Sequence, residues 1–148
     1  MRDNPINKFL RITNFSISQF KTGRIVGSFL PFKRGSQNGG PKDVVYKLTC
    51  LNHGKAYIGE TERFLTKRVQ EHSDCVSNFN TVASPLAEHA LVHNCNFDFE
   101  NVEILDSDTN WQKLRLKEAY HIRRNGGTDT LLNRDLGLDL DICWLNVK

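Results

Sequence analysis

The sequence predicts one small α/β domain of the α+β type, a three-stranded antiparallel sheet flanked by helices. Three observations carry this. Val44–Cys50 and Lys55–Gly59 are strand-like runs joined by a short turn. Two later stretches with helical spacing each open on a capping residue, and an alternating apolar and polar run lies between them. At 148 residues the chain has room for one core, and its 39% apolar and 25% charged content is that of a globular chain, not a disordered one.

The elements follow in order. Val44-Val45-Tyr46-Lys47-Leu48-Thr49-Cys50 is rich in β-branched and aromatic residues, and Asn52-His53-Gly54 supplies the turn into Lys55-Ala56-Tyr57-Ile58-Gly59, which makes a hairpin. Thr61 is placed to cap a helix over 62–77, with Phe64, Leu65, Val69 and Val76 as its core stripe. Ser84 followed by Pro85 opens a shorter helix to about Asn94. Residues 99–105, Phe-Glu-Asn-Val-Glu-Ile-Leu, alternate as a half-buried strand does. Thr109-Asn110-Trp111-Gln112 matches a capping box, and Leu114, Tyr120 and Ile122 continue a helix that stops at Asn125-Gly126-Gly127. An irregular tail follows, and the chain has no internal repeat.

Charge divides the chain. Residues 1–42 hold eight Lys or Arg against Asp3 alone, a net +7, while 43–148 carry a net −4. The stretch 31–42, with its prolines, glycines and charges, reads as a linker, so the expected organisation is a basic arm and linker at 1–42 and a folded domain at 43–148. Such an arm either meets a polyanion, releasing counterions from phosphate, or is a solvated segment that keeps the protein soluble. No apolar run approaches the roughly 18 residues of a membrane span, and the start lacks a signal peptide's apolar block. A nuclear or otherwise intracellular, reducing location is therefore expected. The four cysteines, Cys50, Cys75, Cys95 and Cys143, are too sparse and irregular for a disulfide framework.

Val44-Val45-Tyr46, ten residues, then Tyr57-Ile58-Gly59 resembles the paired hairpin of the GIY-YIG endonucleases. Arg68 and His72, then Glu118, then Asn133 follow in the order that family uses. The likeness covers roughly 43–145. It is nearest to the endonuclease domain of Penelope-like retroelements, through Tyr57-Ile58-Gly59-Glu60-Thr61-Glu62-Arg63, the Leu65/Arg68/Glu71-His72 pattern, Ser84 to His93, and Asn133-Arg134-Asp135. Those elements place the domain after a reverse transcriptase, for which this chain has no room. Val44 stands where the family typically has glycine. That is harmless where the glycine serves strand packing and damaging where it makes room for substrate.

Hydrolysing a phosphodiester needs an activated in-line water, a cation on the non-bridging oxygens and stabilisation of the leaving oxygen. Arg68 and His72, four apart on a helix, project from one face and reach the same phosphate. Arg68 would clamp developing charge. His72 would accept a proton or hold a tyrosine hydroxyl, unless it is simply solvated. Glu118, one turn from Leu114 and Ile122, faces inward, where a carboxylate is either paired with Arg or Lys or bound to a cation. We read it as the ligand of one Mg²⁺ or Mn²⁺. Tyr46, with an ordinary pKa of about 10, needs His72 or a metal-bound water to act on the nucleophile, and Tyr57 would position phosphate; packed core tyrosines are the plainer alternative. The resemblance gives Asn133 a supporting role through hydrogen bonds.

A second set lies at the hairpin turn. Cys50 and His53 have two residues between them, and His89 and His93 stand at i and i+4, so the four make a tetrahedral set for structural Zn²⁺, with Cys95 and Cys75 as competing ligands. Separate surface histidines and a buried thiol are the alternative. The resemblance implies two cysteines and two histidines here, with a histidine standing in the second cysteine's place. The expected function is a metal-dependent DNA endonuclease that nicks DNA to leave a 3′ hydroxyl, with a non-catalytic, zinc-stabilised DNA-binding module as the alternative.

Overall fold

The structure, a computed structural model, describes residues 40–139. The arm and most of the linker, with the tail from 140 that holds Cys143, lie outside the described residues. Strand β1 runs Val44–Thr49 and β2 Ala56–Thr61. Helix α1 spans Leu65–Ser77 and α2 Pro85–His93; β3 is Glu103–Ser107, α3 Trp111–Arg124, and α4 a single turn at Gly127–Thr130. No described helix is long and apolar enough to cross a membrane.

The strands make one antiparallel sheet in the order β2-β1-β3, which leaves β2 at an edge. Alternation sends Val44, Tyr46, Leu48 and Cys50 to one face, under Leu65 and Val69 of α1 and Leu86 and Ala90 of α2. Val45, Ala56 and Ile58 point to the other face, where Leu114 and Ile122 of α3 and Leu131 of the tail cover them. The expected three-stranded antiparallel sheet with flanking helices is therefore the fold observed, with β1 buried on both sides.

One buried charge ties α3 to the sheet. Lys117 is 3% exposed, and its Nζ donates to Asp106 Oδ1 at 2.8 Å and to the Ser107 carbonyl at 2.7 Å, with Asp108 Oδ2 at 3.3 Å. These acceptors meet the donors of a cation that could not otherwise be held away from water.

Local differences from expectation have local causes. Thr61 is not a helix cap: it still pairs with Val44 in the sheet, and its Oγ1 accepts from the Arg63 N–H in the turn that follows. Helix α1 accordingly starts at Leu65, whose N–H donates to the Pro41 carbonyl, and Phe64 at the N-cap is exposed instead of in the core stripe. The third strand begins at Glu103, because the Asp98 carboxylate accepts from the N–H groups of Glu100 and Asn101 and holds that stretch as a turn. Asn110, not Thr109, caps α3, accepting from Gln112 and Lys113. Ser84 and Pro85 open α2 as expected, although the Ser84 hydroxyl makes no capping bond.

Val44 lies in regular pairing with Thr61 and Ser107, its side chain in the core. The positive φ at this end of the strand falls one residue earlier, on Asp43 at 56°. Position 44 thus serves strand packing, which a β-branched residue does well.

Candidate functional site

The hairpin register builds the first part of the site. Tyr46 pairs with Gly59 and Leu48 with Tyr57, so both phenols lie on the face covered by α1. The Tyr46 and Tyr57 ring centroids are 6.4 Å apart, and His72 of α1 stands 6.1 Å from the first and 5.2 Å from the second. The Tyr46 hydroxyl is 2.9 Å from His72 Nε2, a buried hydrogen bond whose direction follows the imidazole tautomer.

Electrostatics keep this pair neutral. Burial, and then Tyr57, push the Tyr46 pKa far above its ordinary value, against the pull of Arg68 close by. Burial, and then the Arg68 cation, lower His72 to about 4. Tyr57 is raised too, chiefly by burial, with Arg68 opposing. Burial works against the charge on Arg68 as well, but its hydrogen bonds to Tyr46 and Glu71 favour the protonated guanidinium. Arg68 Nη1 donates to Glu71 Oε2 at 3.1 Å, while Arg63 binds the same carboxylate through two donors at 2.7 and 2.9 Å. Glu71 is thereby held ionised, first by Arg63 and then by Arg68.

Glu118 projects from α3, which covers the opposite sheet face, yet its charge acts on both Tyr46 and Tyr57. Glu118 is thus close enough to both phenols for a charge on it to act on them. Burial, and then the neighbouring Glu60, push Glu118 up to about 7, with Arg115 opposing. Glu60 is raised by burial and by Glu62. Glu60, Glu62, Trp111, Arg115 and Glu118 line an open cavity of about 490 Å³. Glu60 stands in the sequence only as part of a motif and not as a site residue, although alternation from Ala56 and Ile58 puts it on the α3 side of β2.

Asn133 supports the site from behind. Its Nδ2 donates to the Ile58 carbonyl at 2.7 Å and its Oδ1 accepts from the Ile58 N–H at 3.0 Å, so one side-chain amide pairs with the free edge of β2 between Tyr57 and Gly59. Gly59 itself is a second residue that sequence reasoning passed over as part of a motif. A Cβ there would lie 2.8 Å from the Tyr46 hydroxyl oxygen.

The second expected set is assembled with one change. Cys50, His53, His89 and Cys95 bring ligand atoms within 4.8 Å of one another, and these four could hold a metal ion. Cys50 Sγ is 3.5 Å from His53 Nδ1, and the buried His89 Nε2 has no hydrogen-bond partner among the described residues. A buried imidazole nitrogen left bare beside two thiols has the environment of a ligand. Cys95 is raised to about 11, by burial and then by Cys50.

Cys95 replaces His93 in this set. Helix α2 ends at His93, and Asn94 then takes a left-handed turn, φ 47°, that swings Cys95 inward while the His93 ring stays exposed against His53 and His89. Cys75, on α1, stands outside the group. Comparison with protein-family models, with curated proteins and with solved structures finds no match to this chain.

Proposed function

We propose that the chain is a divalent-metal-dependent DNA endonuclease whose site is built from Tyr46, Tyr57, Arg68, His72 and Glu118. The observation that carries this reading is the buried hydrogen bond between Tyr46 and His72 beside a protonated Arg68, with a half-buried carboxylate acting on the same phenols. Phenol, imidazole, guanidinium and carboxylate are the groups that activation of water and stabilisation of a phosphoryl transition state require.

In this reading Arg68 receives a non-bridging phosphate oxygen through donors not committed to Glu71. Tyr57 hydrogen-bonds the same phosphate. Tyr46 is too weak an acid to lose its proton unaided, so it works as a relay: its oxygen takes a proton from the attacking water while its own proton passes to His72 Nε2. His72 begins neutral, as a proton acceptor must, and the phosphate charge beside Arg68 offsets the cation that depresses its basicity. Glu118 offers hard carboxylate oxygens that fit Mg²⁺ or Mn²⁺. Bound there, the ion would supply positive charge to the leaving 3′ oxygen. Asn133 and Gly59 hold the phenols in place and touch no reacting atom.

We assign zinc to Cys50, His53, His89 and Cys95, since two thiolates and two imidazoles make a closed tetrahedral set. It would clip the hairpin turn to the end of α2. DNA is the partner that the basic arm favours. A nick that leaves a 3′ hydroxyl, able to prime a reverse transcriptase in cis or encoded elsewhere, follows from the resemblance to retroelement nucleases.

Supercoiled plasmid with Mg²⁺ tests the reading. The parent should convert it to open circles, and Tyr46→Phe and His72→Ala should not. DNA retardation by the parent without any nicking would instead support a zinc-stabilised binding module.

A further inference from the structure

We propose that the cavity beside Glu118 is a nucleobase subsite, in which the base flanking the scissile linkage stacks on Trp111 and offers its exocyclic amino group to Glu60 and Glu62. This rests on the nuclease reading and adds a base preference to it. Trp111 is 52% exposed at the first position of α3, away from both core clusters. Its backbone is held by the helix that Asn110 caps with two hydrogen bonds, and the Arg115 guanidinium lies 5.9 Å from the indole centroid. An exposed indole lining an open cavity is a stacking platform, and stacking on aromatic rings holds the bases of single strands.

Charge selects what enters. Three carboxylates and one guanidinium line the cavity, so a neutral ring carrying N–H donors is welcome there. Its volume of about 490 Å³ falls within the 300–1,000 Å³ of small-molecule sites. Cytosine, adenine and guanine carry an exocyclic amino group with two N–H donors that two carboxylates can share, whereas thymine offers the single N3–H, so the pair of Glu60 and Glu62 favours the amino bases. The placement agrees with this division of labour. Arg68 and the phenols gather on the α1 side of β2, while Glu118, which lines the cavity, is close enough to act on both phenols. A strand whose phosphate sits at Arg68 can pass its next base into that cavity.

The test uses the full chain carrying Trp144→Phe, which leaves Trp111 as its one indole, with no divalent ion added. Single-stranded oligocytidylate should quench Trp111 emission and bind more tightly than oligothymidylate. Trp111→Ala, at an exposed position, should weaken oligocytidylate binding by about tenfold, and Arg115→Gln should weaken it in the same direction. Retardation of the oligonucleotide with unchanged Trp111 emission overturns the subsite, and so does absence of oligonucleotide binding. Quenching with the cytosine preference in a protein that nicks no plasmid supports the subsite and removes the nuclease reading. Normal nicking with unchanged emission removes the subsite alone.

Discussion

The Tyr46 hydroxyl occupies the space that a side chain at position 59 would need: a Cβ on Gly59 would lie 2.8 Å from that oxygen and 2.8 Å from Tyr57 Cε1. The relationship follows from register, since the two residues face each other across the hairpin. Gly59→Ala should therefore push the phenol away from His72 and misplace both tyrosines. We expect at least a tenfold loss of nicking and a stability loss of about 1–3 kcal/mol, the cost of overpacking a filled core. Plasmid cleavage and denaturant unfolding of the same preparation check both, and unchanged values would show that the ring has room to move.

His72 makes the fold sensitive to acid. In the folded chain it stays neutral down to about pH 4, against an ordinary value of 6.5. Between those values the unfolded chain binds the extra proton, so this contribution is complete above pH 6.5 and is lost as the pH falls towards 4. Glu118 is shifted upward and works in the opposite sense. Comparing parent with His72→Gln isolates the histidine: urea unfolding at pH 7 and pH 4.5 should show the parent losing more stability than the variant, by about 2 kcal/mol. Equal losses would mean that the imidazole is already open to protons.

The proposed zinc set separates His93 from Cys95. Purified protein should carry about one zinc per chain. Cys95→Ser should lose it and melt at lower temperature, as should the parent after chelation, whereas His93→Ala should keep it. Metal content by mass spectrometry with thermal unfolding decides the matter, and zinc lost from the His93 variant but retained by the Cys95 variant would reverse the assignment.

The Asn133 amide makes two hydrogen bonds to the Ile58 main chain. Asn133→Ala should cost about 1–3 kcal/mol of stability, two bonds at roughly 0.5–1.5 kcal/mol each. Nicking should fall with it, because the strand that carries Tyr57 loses its outer partner. Hydrogen exchange at the Ile58 amide reports this directly, and unaltered protection would contradict it.

What could be foreseen in the chain was what depends on local pattern. Alternation and turn residues located the hairpin, and helical spacing put Arg68 with His72 and Glu118 with Leu114 and Ile122. What escaped depends on where the chain turns. His93 looked like a ligand because i and i+4 share a helix face, but a left-handed Asn94 ends that helix and delivers Cys95 instead. Thr61 looked like a cap because the extent of pairing in β2 cannot be read from composition. Glu60 could be placed on a face, but its proximity to Glu118 depends on how α3 packs against the sheet.

Arg68 and Glu118 are proposed to serve one scissile phosphate. Single-turnover cleavage of a labelled DNA substrate in Mg²⁺, with parent, Arg68→Ala and Glu118→Gln matched for folding by circular dichroism, tests it most directly. Each variant should cleave at least about a hundredfold more slowly than the parent, as removal of a transition-state contact does. Cleavage by either folded variant at the parental rate would contradict it.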